Sequence, residues 1–410
     1  MNSATPARRE MWMIIALASA VLLITMGIRQ SVGLFVHPIV AETGMSILEV
    51  STAMAVGQLV WGALQPVFGA WADKGHPLAV LAAGALCLAA GQLLTVWADS
   101  PLLLVLAQGL LSPAGAAAGA FSVLIGIVSA RITPDLRSVA GGVINAGGSL
   151  GQFVFAPLIQ FAMHLGGYCA GLVMSGLSAL LALIPASLLC REKKAEKTQQ
   201  ASGQSPLQDS GLARAGLGAQ LGVAFRNPSY LLLHCGFFTC GFHVAFLTTH
   251  LPGEIGLHGQ PASVSAACLA LIGLSNIVGS LGVGVAGKHF RMKHILACMY
   301  ASRAAMIAVY LASPKTETNF YIFAVVTGLT WLATVPPTAG IVGKLFGVRY
   351  LATLFGLTLL THQVGAFLGA WFGGLAIQQS GNLLWVWHID IALAAFAALV
   401  NLPIREDAPR

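Results

Sequence analysis

The amino-acid sequence predicts an all-α membrane protein in which twelve transmembrane helices form two six-helix bundles. Three observations predict it. Of 410 residues, 57% are hydrophobic and only 9% are charged, and mean hydropathy is +0.80; soluble proteins carry about 25% charged residues. Apolar stretches able to cross about 30 Å of hydrocarbon, roughly 20 residues each, recur twelve times. A single long polar segment, 191–227, separates six of them from the other six.

The spans run in order as follows. The first, 11–38, follows Arg8 and Arg9 as a signal peptide would, but it is long and no small-residue cleavage site follows it, so it is expected to remain as a span. The second, 49–72, leads into GAWADKGHP at 69–77. The third is 77–97. The fourth, 101–130, ends at Arg131, with Pro134 and Arg137 before the fifth, 138–163. The sixth is 168–190. The polar segment begins REKKAEKTQQASGQSPLQDS, charged and then rich in Ser, Gln and Gly, which is linker composition. Spans seven to twelve are 228–251, 262–287, 294–313, 318–343, 350–377 and 383–403. The expected domains are therefore a bundle at 1–190, a linker at 191–227 and a bundle at 228–410.

Charge gives the orientation. With an even number of spans both termini share a side, and that side carries eighteen Lys and Arg, six of them between Arg191 and Arg226. The opposite side carries only Lys315, together with Glu42, Glu49, Asp99, Glu254 and Glu317. The positive-inside rule makes the termini and linker cytoplasmic. The net charge of +7 thus speaks of membrane orientation and not of nucleic acid. The seven cysteines lie in or beside apolar runs without metal-ligand spacing and read as small apolar residues.

The two sets of six spans resemble each other. Gly69-Ala-Trp-Ala-Asp73-Lys74-Gly75 follows the second span and Gly284-Val-Ala-Gly-Lys288-His289 the eighth, at an offset of 215. Gly142 and Gly151 in the fifth span are matched by Gly356 and Gly365 in the eleventh at an offset of 214. This is the pattern of a duplicated six-helix unit, with a substrate site between the copies near mid-membrane. On the twelve spans, the basic linker, GAWADKGHP and Arg131…Pro134…Arg137, the chain resembles the major facilitator superfamily. It departs from the pattern at His76-Pro77, where the family has further basic residues, and at Lys288, which occupies the second loop's aspartate position. GIRQSVGLF at 27–35, CGFHVAFLTTHLP at 240–252, LSNIVGS at 274–280 and the long stretch 330–374 are similar to bacterial relatives of the monocarboxylate transporters. The animal members' Asp-x-x-x-Arg pair in the eighth span is replaced by Asn276 and Ser280. The resemblance implies a cytoplasmic gate of Asp73, Lys74, Arg131 and Arg137.

Three charges remain inside spans: Arg29, Arg303 and Asp390. A central charge costs about 2.5–3.5 kcal/mol on insertion scales. Arg29 lies roughly 7 Å outward of its span's centre at about 1.5 Å per residue. It reads either as an anion anchor, gripping a carboxylate through two parallel hydrogen bonds, or as a cap on helix carbonyls. Gln30, Asn276 and His362 are the candidates to complete a substrate site. Arg303 and Asp390 are expected at comparable depth on neighbouring spans, forming a structural ion pair. His243 and His250 share a helix face and are candidates for proton coupling, or else hydrogen-bonded packing residues. No phosphate loop of the GxxxxGK[ST] type occurs, so ATP is not expected to power the protein. No enzyme motif, cofactor or metal is expected.

The leading expectation is a secondary transporter, working as a monomer in a bacterial inner membrane, that moves a small organic anion, a monocarboxylate, with a proton. The alternative is a proton-driven exporter of drugs or amphipathic metabolites. A pump for cationic drugs would need an embedded carboxylate, for which Asp390 is the sole candidate. A sensor or scaffold is disfavoured because no signalling domain is present.

Overall fold

The structure, a computed structural model, describes residues 8–129, 131–133, 136–191, 217–287, 289–347 and 351–406. Eleven helices among them are long and apolar enough to cross a membrane. One of these, Val139–Leu189, is 51 residues long, twice what a bilayer needs. It turns at Gly166 and Gly167, where Gly167 has φ 70°, ψ −176°, a conformation that side-chain-bearing residues avoid. Counted on either side of that turn, the spans number twelve, with the fifth and sixth divided where the sequence divides them.

Local chemistry sets the ends. The first span runs through Arg8–Gln30, a short 3-10 turn Val32–Phe35 and Val36–Thr43, and stops at Gly44 with φ 72°. Ser46 and Glu49 form a capping box on Ile47–Asp73. Asn227 caps Pro228–Leu257 and Thr316 caps Glu317–Thr330.

Two spans expected to be continuous are broken. The fourth passes through a π-helical stretch, Val105–Leu111, then Ser112–Ala118, and restarts after Gly119 and Ala120 as Phe121–Ser129. The tenth is Glu317–Thr330 and then Val335–Phe346. Pro336 and Pro337 explain the second break: neither can donate to the carbonyl four residues back, and each ring collides with it. The fourth and tenth breaks lie about 215 residues apart.

The first six spans pack around two apolar clusters, one holding Ile28, Phe35 and Leu172, the other Ile15, Leu81 and Ile144. The last six pack around Phe246, Trp331 and Trp387 and around Tyr230, Phe237 and Tyr300. Within each set, glycines let backbones touch, the usual device where apolar contact alone drives nothing in lipid. Gly151 in the fifth span rests on the Leu23 carbonyl of the first. Gly365 in the eleventh rests on the Phe238 carbonyl of the seventh. The same contact therefore recurs 214 or 215 residues later, matching the offset legible in the sequence.

The two sets meet along three lines. The second span meets the eleventh at Ser51 with Gly374 and at Gly62 with Gln363. The fifth meets the eighth at Ser149 with Gly273. The first meets the seventh at Gly33 with the Thr248 carbonyl and at His37 with Gly253. All lie from mid-depth towards the end away from Lys74 and Arg131. Towards the basic end the same helices part. Residues seven apart share a helix face within about 20°. Gly69, Gly356 and Gly142 are seven residues from Gly62, Gln363 and Ser149 in that direction, yet among the described residues nothing stands within 4 Å of where their Cβ atoms would be. Gly282 and Gly284, beyond Gly273, face open space too. Among the described residues, the interface is closed at one end and splayed at the basic end.

Candidate functional site

A layer of polar side chains crosses mid-depth where the two sets meet. Arg29 is its cation. The last turn of Arg8–Gln30 brings it against the second span, where its guanidinium donates to Gln58 Oε1 and lies 4.0 Å over the Trp61 ring. Neither partner is charged, and neither is a backbone carbonyl. A guanidinium has five N–H donors, and Gln58 takes one. Buried polar atoms without a partner among the described residues include Trp61 Nε1, Gln363 Oε1 and both amide atoms of Gln152. Gln363 reaches the layer through Gly62, whose missing side chain leaves room for it.

Gln30 ties the two sets together, its Oε1 accepting from Trp331 Nε1 at 3.4 Å. Asn276 does the same more firmly: its Nδ2 donates to Ser149 Oγ at 2.7 Å and its Oδ1 accepts from the Leu332 amide at 2.9 Å. That amide is free because the tenth span is broken there. Asn276 is fully buried with both ends engaged, so the structure makes it a joint between the sets. His362 lies beside Gln363, Nδ1 to Nε2 at 3.0 Å, with its ring 4.8 Å from that of Phe237.

The expected Arg303–Asp390 pair does not form. Arg303 donates to the Thr330 carbonyl, to the Trp331 carbonyl at 2.6 Å and to Cys240 Sγ at 3.5 Å. These carbonyls lost their helical donors at the break, and an unsatisfied carbonyl in the membrane costs several kcal/mol. The break therefore claims the guanidinium. Asp390 pairs with His243 instead, Oδ2 to Nδ1 at 2.6 Å. Equal depth on adjacent helices does not fix which faces meet. His250 Nε2 donates to the Ala370 carbonyl, 2.7 Å away, and the ring packs on Gly373.

At the basic end, Lys74 is exposed just past Ile47–Asp73. Arg131 donates to the Leu189 carbonyl, capping Leu183–Leu189. The side chains of Asp73 and Arg137 lie outside the described residues, so the four are not seen as a cluster. Trp61 and Trp331 belong to the layer but are not singled out by sequence reasoning. An aromatic in a span carries no polar signal by itself; only the Pro336-Pro337 pair, which unwinds the helix beside Trp331, points to the second of them.

Among the described residues, two carboxylates are buried within helices, Asp390 and Glu254, and each has a partner, Glu254 accepting from Tyr310 Oη at 2.7 Å. Neither reaches Arg29. The layer can thus offer a negatively charged solute one fixed cation, spare N–H donors and flanking indole surface.

Known proteins resemble the chain over nearly its whole length. It is 27% identical over 399 residues to the rat protein "Monocarboxylate transporter 13" (Rattus norvegicus), covering 96% of this chain and 89% of that one. It is 23% identical over 381 residues to the "Oxalate:formate antiporter" of Oxalobacter formigenes, covering 91% and 86%. The fold matches the crystal structure of a D-xylose-proton symporter with a TM-score of 0.74 at 11% identity, over 96% of this chain and 97% of that one. The family model of the Major Facilitator Superfamily matches residues 15–370. Twelve spans, a polar layer between two packed sets of six and that match together lead to one conclusion: the chain belongs to the Major Facilitator Superfamily and is a membrane transporter, not an enzyme.

Proposed function

We propose that the protein carries small monocarboxylates together with protons, with Arg29 as the anchor for the carboxylate. The observation that carries this reading is the state of the Arg29 guanidinium: at the interface of the two sets, held by a neutral amide and an indole face, with no carboxylate among the described residues to neutralise it. A carboxylate entering a low-dielectric site loses its hydration, and a fixed cation with paired donors offsets that loss. Trp61 Nε1 is one more donor in reach of such a solute. With Arg303 committed to helix carbonyls, one available cation suits one negative charge, which favours monoanions over dianions.

The basic end is the cytoplasmic end by the positive-inside rule, in a bacterial inner membrane with both termini inside. The structure's splayed end then opens to the cytoplasm. Residues 1–190 and 228–410 are the two bodies that rock about the site, joined by 191–227, and the monomer suffices. The name of one relative, a monocarboxylate transporter, supports the substrate class, and that of the other, an oxalate:formate antiporter, supports small carboxylates more broadly. Export of cationic drugs is not favoured, because Asp390 is fully buried and paired with His243.

Reconstituted protein should take up labelled formate, acetate, L-lactate or benzoate when the vesicle interior is alkaline. Uptake of dicarboxylates should be at least about tenfold slower, the loss of about 1.4 kcal/mol for an unpaired second charge. Uptake of cationic dyes but of no carboxylate would overturn the reading.

A further inference from the structure

The last six spans hold an ionisable pair that the anion site does not use. His243 and Asp390 meet at 2.6 Å with side-chain exposures of 1% and 0%. Their outer atoms, His243 Nε2 and Asp390 Oδ1, are buried and have no partner among the described residues. With one proton between Nδ1 and Oδ2, the pair carries a charge of −1. The unused Nε2 lone pair can take a second proton, leaving an imidazolium against a carboxylate and no net charge.

The ionisable groups on the surrounding elements have other commitments. On the ninth span, Arg303 is held by the Thr330 and Trp331 carbonyls and lies 5.5 Å over the Tyr300 ring. On the eleventh, His362 is held by Gln363. On the seventh itself, Cys240 meets Thr334 Oγ1 at 3.2 Å and His250 meets the Ala370 carbonyl. Among the described residues of this set, His243 alone combines an idle buried ring nitrogen with a carboxylate partner.

Trp331 connects this pair to the anion site. Its ring stands edge-on to His243 with centroids 6.0 Å apart. Its Nε1 donates to Gln30, the neighbour of Arg29 in sequence. It sits in the unwound stretch of the tenth span, between Glu317–Thr330 and Val335–Phe346, where no helical turn has to break for it to shift.

We infer that the coupling proton resides on the His243–Asp390 pair, and that Trp331 relays its presence to the Arg29 site. The inference rests on Arg29 binding the anion. The proton comes from water on one side, forms an N–H bond at Nε2, and leaves to water on the other side; no other bond changes. The coupling is electrostatic. With both sites empty, Arg29 and the pair sum to zero, and with both filled they again sum to zero. With one filled, the charge at these two sites differs from that of the empty carrier by one unit, and such a change is costly in low dielectric. Arg303 adds the same charge to all four states and so does not alter that difference. Empty and doubly loaded carriers therefore cross, and one proton moves per monoanion.

The test uses vesicles holding the wild type, Asp390→Asn, Asp390→Glu and the double variant His243→Gln/Asp390→Asn, which keeps a hydrogen bond without the charge. The probe is whichever of formate, acetate, L-lactate and benzoate the wild type takes up fastest. One unit of pH gradient should let the wild type accumulate the anion about tenfold, one proton's worth of driving force. Asp390→Asn and the double variant should lose accumulation but exchange labelled for unlabelled anion at equal pH within about threefold of the wild type. Asp390→Glu should restore part of the accumulation. Wild-type accumulation in either uncharged variant would overturn the inference, and so would loss of exchange in both, which would make the pair structural. A wild type that moves none of the four anions would instead defeat the proposed function itself.

Discussion

Arg29→Gln should cut monocarboxylate uptake by at least about 30-fold, while the protein still reaches the membrane in wild-type amounts. Removing one partner of a buried, hydrogen-bonded charge pair costs about 2–5 kcal/mol, or about 30-fold to several thousand-fold in affinity. Folding should survive, because among the described residues Arg29 bonds Gln58 and the face of Trp61, and no backbone carbonyl depends on it. Arg29→Lys separates charge from geometry. It keeps the cation but loses the planar fork, and should lie between the two, with affinity down about tenfold. Initial uptake rates over a range of anion concentrations measure both. An Arg29→Gln protein that transports at the wild-type rate would return Arg29 to a structural role.

The second large effect concerns the closed end. Gly33 touches the Thr248 carbonyl so closely that any side chain there must push the first and seventh spans apart. Overpacking of this kind costs about 1–3 kcal/mol, and here it falls only on the state in which that end is shut. Gly33→Leu should thus favour the opposite state by about fivefold to 150-fold and slow transport accordingly. A single cysteine at position 69, placed in a cysteine-free background, reports the shift. Gly69 faces open space at the splayed end among the described residues, so its labelling by a membrane-impermeant maleimide from the basic side should slow at least about fivefold in Gly33→Leu. Unchanged labelling would mean that the two ends do not open in alternation.

Much of the fold is legible in the order of the residues. Hydrocarbon thickness forces apolar runs of a set length, and the turn between the fifth and sixth spans shows as Gly166-Gly167. The duplication shows as glycine pairs at one offset, and the structure gives the reason: Gly151 and Gly365 accept equivalent carbonyls, so neither can gain a side chain. Arg29 stands out because a lone charge in a span demands a cause. Its neighbours are harder. Sequence gives depth along a helix but not the rotation that decides which faces meet. Asp390 and Arg303 are alike in depth, yet the first turns to His243 and the second to the broken tenth span. Asn276 is expected from the sequence to complete a substrate site, and its partners, Ser149 and the Leu332 amide, depend on that same break. The Pro336-Pro337 pair marks the break. What it frees, and which side chains collect the freed groups, follows only from the packing of neighbouring spans.

The central claim, that Arg29 holds the substrate's carboxylate between the two sets of six helices, has a direct test. Crystals grown with 3-bromopropionate give an anomalous signal from the bromine, which fixes where the anion sits and how it points. The account predicts a bromine peak in the layer bounded by Arg29, Trp61, Gln363 and Trp331, with the carboxylate against the guanidinium, and loss of that peak in Arg29→Gln crystals. A peak elsewhere in the protein, or one that persists unchanged without Arg29, would contradict it.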